Sequence, residues 1–250
     1  MARCLSLPPT RDFASSLRSG PPAIVAEVKR ASPSAGPIAA GDPTRLAQAY
    51  QEGGAAAISV LTEHRHFDGA LADLRAVHLA TTVPVLRKDF LVHPAQLMEA
   101  RAEGADAALL IAASLPIAEL RAMVATAADL GLDALVEAHG EADLSVALDS
   151  GAAIIGVNAR DLETLEVDER HALELVGRIP RDRTIVLESG ITERAQVVRA
   201  VDAGAHAVLV GEALMLASNP AAKLRHLRGE LVSVEAGDTE ENTPDPGSKP

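Results

Sequence analysis

Four segments of the chain begin with a glycine that is followed by small and branched apolar residues. They are Gly54-Ala55-Ala56-Ala57-Ile58, Gly104-Ala105-Asp106-Ala107-Ala108, Gly151-Ala152-Ala153-Ile154-Ile155 and Gly204-Ala205-His206-Ala207-Val208. A glycine before such a run is typical of a helix that ends and a strand that begins. The pattern recurs at a period of roughly fifty residues, which restricts the fold to architectures that pack one unit several times over.

Short runs of apolar and small residues recur eight times, at 23–28, 55–61, 83–87, 105–111, 132–137, 152–158, 184–188 and 205–210. Segments with helical spacing lie between them, including 43–52, 94–103, 116–130, 141–149 and 192–203. Strand and helix alternate, with two such units per repeat, so we predict an α/β fold that is a single closed (β/α)8 TIM barrel. An open dinucleotide-binding sheet is disfavoured because no GxGxxG motif follows the first run.

Three parts of the chain are expected from this pattern. Residues 1–22 form a short N-terminal extension, with a short helix over 12–18 that lies across one end of the barrel. Residues 23–228 form the barrel, which is the catalytic domain. Residues 229–250 form an acidic tail that is expected to be disordered, since it has almost nothing to bury.

Composition and charge exclude several classes of protein. The formal net charge of −12 argues against a nucleic-acid surface, which needs clustered Lys and Arg. Cys4 is the only cysteine, so an intramolecular disulfide and a thiolate metal cage are excluded. No run approaches the roughly 18 apolar residues of a membrane span, and the N-terminus does not resemble a signal peptide. A cytoplasmic protein is therefore expected.

Polar side chains stand at the ends of the predicted strands, and these ends meet at one mouth in a barrel. An apolar run ends at Lys88 and another at Glu137, and this pair suits general acid–base chemistry. The other candidates at strand ends are Glu27, Lys29, Ser32, Phe90, Asn158, Arg160 and Glu188. His64 and His66 are not expected to bind a metal, because no further ligands are evident.

Glycines follow the last two predicted strands, in Ser189-Gly190 and at Gly211. Barrels commonly bind phosphate at these two strand ends through backbone N–H groups. Together with Lys29 and Arg160, these glycines indicate that a small, anionic, phosphorylated ligand binds at the mouth. A metal site is not expected, and no nucleophilic Cys or Ser–His pair is evident.

Six motifs follow one another along the chain, each at a strand end. They are Ala26-Glu27-Val28-Lys29-Arg30-Ala31-Ser32-Pro33-Ser34, Leu86-Arg87-Lys88-Asp89-Phe90, Leu135-Val136-Glu137, Gly156-Val157-Asn158-Ala159-Arg160-Asp161-Leu162, Glu188-Ser189-Gly190-Ile191 and Val210-Gly211-Glu212-Ala213-Leu214-Met215. Over about residues 24–227, the chain resembles the indole-3-glycerol-phosphate synthase family of tryptophan biosynthesis.

The resemblance implies cyclisation, decarboxylation and dehydration of 1-(2-carboxyphenylamino)-1-deoxyribulose 5-phosphate without a cofactor. It implies that Lys88 is the general acid in ring closure and that Glu137 is the base or acid in the loss of water. It further implies that Glu27 holds the substrate hydroxyls and that Asn158 and Glu188 orient Lys88 and the ribulose part. Arg160, with Ser32, would meet the substrate carboxylate, and Lys29, Ser189, Gly190 and Gly211 would hold phosphate. Phe90 is expected from its position after Lys88 to form an apolar wall. Whether Lys29 is a second general acid stays open.

The chain departs from the family pattern at three positions. Ala35 and Ala70 replace a usual Lys and a usual Ser, and Ala213 stands where many members offer a Ser to phosphate. The N-terminal extension is also short. In the family this extension covers the mouth and contributes to binding, so its shortness is expected to affect affinity and stability more than chemistry.

Three other readings stay open at this point. A Schiff-base aldolase would use Lys88 as a nucleophile. A barrel that only binds a phosphorylated metabolite would not need both Lys88 and Glu137. A paralogue that serves secondary metabolism would share every residue named above. The protein is expected to be a monomer or a weak oligomer, and contact with other tryptophan-pathway enzymes is left open.

Overall fold

Eight parallel strands close into a barrel in the computed structural model, which describes residues 7–20, 22–161 and 164–230. Each strand pairs with the next one along the chain, and the last pairs with the first. The barrel strands are β1 (Ala23–Val28), β2 (Ala57–Leu61), β3 (Val85–Lys88), β4 (Ala107–Ile111), β5 (Asp133–Ala138), β6 (Ile154–Asn158), β7 (Thr184–Glu188) and β8 (Ala207–Val210). The predicted (β/α)8 barrel is confirmed.

Helices follow the strands and surround the barrel. They are α1 (Phe13–Ser16), α2 (Pro43–Glu52), α3 (His64–Phe67), α4 (Leu71–Ala80), α5 (Pro94–Ala102), α6 (Ile117–Asp129), α7 (Glu141–Asp149), α8 (Glu169–Val176), α9 (Arg194–Ala203), α10 (Glu212–Met215) and α11 (Pro220–Arg228). A short antiparallel pair, Ala31–Ser32 with Gly36–Pro37, folds the loop after β1. None of the helices in the described part of the chain is long and apolar enough to cross a membrane.

The repeated glycines end helices, as expected. Gly104 and Gly204 have φ angles of 93° and 114°, which L-residues avoid. The amide N–H of the residue after each glycine donates back to the helix, from Ala105 to Ala100 O and from Ala205 to Ala200 O, both at 2.9 Å. These turns use the first residues of the predicted runs 105–111 and 205–210, so each strand begins two residues later than predicted.

Two apolar layers stabilise the barrel. One lies between the strands and the surrounding helices and includes Ile58, Leu110 and Val136. The other fills the barrel interior with Val25, Leu86 and other inward side chains. Alternate residues of one strand supply the two layers, because successive side chains of a strand point to opposite faces. The strands are therefore buried on both faces, as their continuous apolar runs predict.

The N-terminal helix α1 closes the lower end of the barrel, where the strands begin. Phe13 and Leu17 are fully buried against the interior layer. The backbone N–H of Ala14 donates to Asp133 Oδ2 at 3.0 Å, and Arg18 Nε donates to Thr184 Oγ1 at 2.7 Å. Both acceptors stand at the first residue of a strand. The short predicted helix is therefore present, but the described part of the extension lies opposite the mouth and does not cover it.

The predicted disorder of the acidic tail concerns residues that lie mostly outside the described part of the chain. Helix α11 ends at Arg228, and Gly229 caps it with a φ of 85°. Residues 231–250 are not described.

The buried position of Phe13 leads to a prediction about stability. Phe13→Ala should lower the free energy of unfolding by about 3–5 kcal/mol, because it removes an aromatic side chain from a closed interior layer. The control is Leu79→Ala, since the Leu79 side chain is 77% exposed; it should change stability by less than about 0.5 kcal/mol. Urea unfolding measures both variants. Equal losses in the two variants would contradict the buried placement of α1.

Candidate active site

The ammonium group of Lys88 lies between two carboxylates at the mouth. Lys88 is the last residue of β3, and its Nζ donates to Glu137 Oε2 of β5 at 3.0 Å and to Glu188 Oε2 of β7 at 2.5 Å. The two glutamates are almost fully buried. Glu27 of β1 adds a third carboxylate that acts on Lys88 electrostatically. One side chain from each odd-numbered strand thus forms an ionisable layer, which is how alternate strands fill a barrel.

The protonation states of this cluster follow from its charges. Burial disfavours the charged form of Lys88, but Glu137, Glu188 and Glu27 outweigh it and raise the pKa of Lys88 above its ordinary value. Burial acts to raise the pKa of Glu137, yet Lys88 and His139 lower it overall. Burial and Glu137 together raise the pKa of Glu188 in spite of Lys88. Lys88 is therefore protonated and fixed in place as a proton donor. Of the two carboxylates, Glu188 binds a proton more readily than Glu137.

Gly156 provides the space that Glu188 occupies. In the β6 strand it lies opposite Glu137 on one side and Val186 on the other. A Cβ atom at position 156 would stand 2.3 Å from Glu188 Oε1. Any larger residue at this position would therefore displace one of the two carboxylates that hold Lys88.

A second ion pair lies at the mouth, at the end of β1. Lys29 Nζ lies 3.0 Å from Glu27 Oε1, and both groups lie beside Gly211. A Cβ atom at Gly211 would be 2.6 Å from Glu27 Oε1 and 3.2 Å from Lys29 Nζ. The backbone after β8 therefore lies so close to this ion pair that only glycine fits at position 211.

The turn after β7 has an unusual backbone. Ser189 and Gly190 have φ angles of 68° and 75°, so two successive residues adopt the left-handed region. A turn of this kind can point successive backbone N–H groups at an anion. A Cβ atom at Gly190 would also stand 2.7 Å from Val167 Cγ1.

Aromatic and apolar side chains form the opposite wall. The rings of Phe67 and Phe90 are 6.4 Å apart and tilted by 45°. Leu109 and Ile111 of β4 face the same cavity. Leu110, between them, belongs to the outer layer because strand residues alternate.

The loops after β1 and β6 complete the site. Ser32 Oγ accepts from the backbone N–H of Ala35 at 3.1 Å and shapes the loop after β1. Asn158 Oδ1 accepts from the backbone N–H of Arg160 at 3.0 Å, and Arg160 Nη1 donates to Leu165 O at 2.9 Å. Asn158 therefore fixes the start of the loop that carries Arg160.

The structure brings the predicted residues together. Glu27, Lys29, Ser32, Lys88, Phe90, Glu137, Asn158, Arg160, Ser189, Gly190 and Gly211 line one cavity, and Glu188 lies beneath it against Lys88. Sequence reasoning missed Glu63, Leu109 and Leu209, which line the same cavity. The alternation of inward side chains along β4 and β8 was a signal for the two leucines. Glu63 caps α3 through the N–H groups of Arg65 and His66, a pattern that is common at surface helices.

His139 stands directly behind Glu137. Its Nε2 lies 3.3 Å from Glu137 Oε1, and its Nδ1 lies 3.9 Å from Asp143 Oδ2. A cation at His139 favours the ionised form of Glu137.

The fold and the cavity define a (β/α)8 barrel enzyme with a lysine held by carboxylates at its mouth. Solved structures support the fold. The chain is similar to a 3-hexulose-6-phosphate synthase, with a TM-score of 0.66 and 18% identity over 82% of this chain and 98% of that one. It is also similar to a mutant tryptophan synthase alpha-subunit of Pyrococcus furiosus, with a TM-score of 0.60 and 19% identity over 82% and 97%.

Sequence relatives show the family. The family model for indole-3-glycerol phosphate synthase matches residues 2–227. Indole-3-glycerol phosphate synthases of Mycolicibacterium smegmatis and Rhodococcus jostii are 49% and 48% identical, over 87% and 94% of this chain and 80% and 86% of their own. The chain belongs to the indole-3-glycerol phosphate synthase family, as its motifs predicted. It is a carboxy-lyase of tryptophan biosynthesis.

From the cluster around Lys88 we predict that a variant without the Lys88 ammonium group loses stability to an extent that depends on pH. In Lys88→Met, burial and mutual repulsion raise the pKa values of Glu137 and Glu188 in the folded protein above those in the unfolded chain. A raised pKa gives stability that is present at low pH and lost as the pH rises through it. The variant should therefore lose about 3–5 kcal/mol near pH 8 and less near pH 5.

Thermal and urea unfolding across this pH range measure the effect. The double variant Lys88→Met with Glu188→Gln removes one of the two charges and should regain part of the loss at the higher pH. A deficit that does not change with pH would contradict the assigned charges.

Proposed function

We propose that this cavity catalyses the ring closure of 1-(2-carboxyphenylamino)-1-deoxyribulose 5-phosphate, with Lys88 as the general acid. The observation that carries the proposal is the placement of the Lys88 ammonium between Glu137 and Glu188. As the ring carbon attacks the ketone carbon, Lys88 donates its proton to the ketone oxygen, which becomes a hydroxyl. Loss of carbon dioxide and then of water from the new ring gives the indole.

The charges around Lys88 favour an acid over a nucleophile. A Schiff base requires a free amine, and the neighbouring carboxylates raise the pKa of Lys88 and keep it protonated. An aldolase of that kind is therefore disfavoured. A barrel that only binds is disfavoured as well, because three buried carboxylates around one lysine cost desolvation energy that simple binding does not require.

Glu137 takes the second proton-transfer role. Its lowered pKa keeps it ionised, so it can take a proton from the ring system and return that proton to the hydroxyl, which then leaves as water. Glu188 holds Lys88 from the other side and acts as a positioning residue. Asn158 positions the loop that carries Arg160.

The two ends of the cavity suit the two ends of the substrate. The phosphate would be held by Lys29, Ser189, Gly190 and Gly211. In this arrangement the ammonium group of Lys29 and the backbone of the two turns after β7 and β8 would contact the phosphate. Arg160 and Ser32 would meet the carboxylate, and Phe90 would cover the aromatic ring. Glu27 Oε2 has no hydrogen-bond partner among the described residues, which suits an acceptor for a substrate hydroxyl.

Other expectations stay predictions. They are the cytoplasmic location, the monomeric or weakly oligomeric state, cofactor-free chemistry, contacts with other pathway enzymes, and the second acid role of Lys29. A paralogue in secondary metabolism would use the same residues.

The proposal is tested by comparing the protein with Glu137→Gln in single turnovers. The unmodified protein should release carbon dioxide and form a fluorescent indole product, and the chain has no Trp and one Tyr, so its own fluorescence is weak. In Glu137→Gln, carbon dioxide should still appear, but indole fluorescence should be slowed by about 100-fold or more. Indole formation at the unmodified rate in Glu137→Gln, or borohydride trapping of the substrate on Lys88, would contradict the mechanism.

A further inference from the structure

Two loops at opposite sides of the mouth share one design. Lys88 ends β3 and Glu188 ends β7, and these two residues are 100 positions apart in the chain. Each is followed by a loop and a helix whose third residue is a glutamine, Gln96 in α5 and Gln196 in α9. The burial pattern of residues 91–97 is the same as that of residues 191–197.

Each glutamine closes its loop with the same hydrogen bonds. Gln196 Oε1 accepts from the N–H groups of Thr192 and Glu193, both at 2.9 Å, and its Nε2 donates to Gly190 O at 2.6 Å.

Gln96 makes the equivalent bonds on the other side of the mouth. Its Oε1 accepts from the N–H groups of Val92 and His93 at 2.8 and 3.0 Å, and its Nε2 donates to Phe90 O at 3.2 Å. An amide suits this arrangement, because its carbonyl oxygen accepts the two N–H groups while its NH2 group donates to the loop carbonyl.

The bond to Gly190 O fixes one peptide unit of the turn after β7. The C=O and N–H groups of a trans peptide point in opposite directions. Holding Gly190 O on Gln196 therefore also fixes the direction of the Ile191 N–H. Ser189 and Gly190 have left-handed φ angles, and Ser189, Gly190, Ile191 and Thr192 all line the cavity. This turn is the one that the proposed phosphate site requires.

The two loops carry different side chains on the same support. After β3 the first two loop residues are Asp89 and Phe90, and the Phe90 ring joins Phe67 in the apolar wall. After β7 they are Ser189 and Gly190, which leave the backbone open to a ligand. The same glutamine thus supports a ring-binding wall on one side and an anion-binding turn on the other.

We propose that Gln196 is a positioning residue for phosphate binding, and that Gln96 holds the Phe90 loop in the same way. The inference rests on the proposed phosphate site. Gln196 acts through the turn at 189–191 and does not contact the substrate. It sets the affinity for the phosphate end and leaves the proton transfers of Lys88 and Glu137 unchanged.

Methionine variants test this inference, with inorganic phosphate as a competitive inhibitor. Gln196→Met and Gln96→Met preserve side-chain length, add no charge and remove the same kind of helix cap. Gln196→Met should weaken inhibition by phosphate by about tenfold, the effect of one lost hydrogen bond, and should raise KM with kcat close to the unmodified value. Gln96→Met should leave phosphate inhibition unchanged. Thermal unfolding should show a similar loss of stability in both.

The outcomes separate the inference from the proposed function. Equal phosphate inhibition in Gln196→Met and Gln96→Met overturns the role of Gln196. Lys29→Met serves as the reference for the site itself: if it also leaves phosphate inhibition unchanged, the proposed phosphate site is wrong. If Gln196→Met does not fold, Gln196→Glu replaces it, since a carboxylate keeps the two N–H bonds but replaces the donation to Gly190 O with a repulsive contact between two oxygens. Unchanged phosphate inhibition in Gln196→Glu overturns the inference.

Discussion

The contact of Lys88 with Glu137 and Glu188 is the interaction on which the rest of the site depends. Three strands must hold their register for these groups to meet, because a slip of one residue would turn a side chain to the other face. Gly156 must stay small so that Glu188 can reach Lys88. Buried carboxylates cost free energy unless they are paired. The buried glutamates therefore require the lysine, and the lysine requires the strands that bring the glutamates to it.

Stability and chemistry lie at opposite ends of the barrel. The lower end is closed by Phe13 and Leu17 and by hydrogen bonds from α1 to the first residues of strands. The mouth contains the ion pairs of Lys88 and Lys29, the left-handed turn at Ser189 and Gly190, and the partly exposed ring of Phe90. This division is usual for barrels, whose upper loops vary while the lower end supports the fold. The described part of the extension therefore bears on stability, and it makes no contribution to the mouth.

The sequence predicted the features that depend on local signals. The bounds 43–52 agree with α2, because Asp42 caps the helix and Pro43 suits its first turn. Strand ends at Lys88 and Glu188 followed from runs of apolar residues that stop at a charge. The role of Gly156 was not predictable, because it needs Glu188 from a neighbouring strand. The pairing of Ala31–Ser32 with Gly36–Pro37 and the loop contacts of Gln96 and Gln196 are local in the chain, but no apolar run or charge pattern marks them. The mouth itself was predictable because a barrel brings all strand ends together.

The most direct test of this account is the turnover of Lys88→Met measured together with its affinity. Affinity is measured by calorimetry with a substrate analogue whose ketone is reduced to an alcohol, which binds but cannot cyclise. Loss of the transition-state proton donor should lower kcat by about 10²–10⁴-fold, while the Kd for the analogue stays close to that of the unmodified protein. Turnover at the unmodified rate in Lys88→Met would contradict the account.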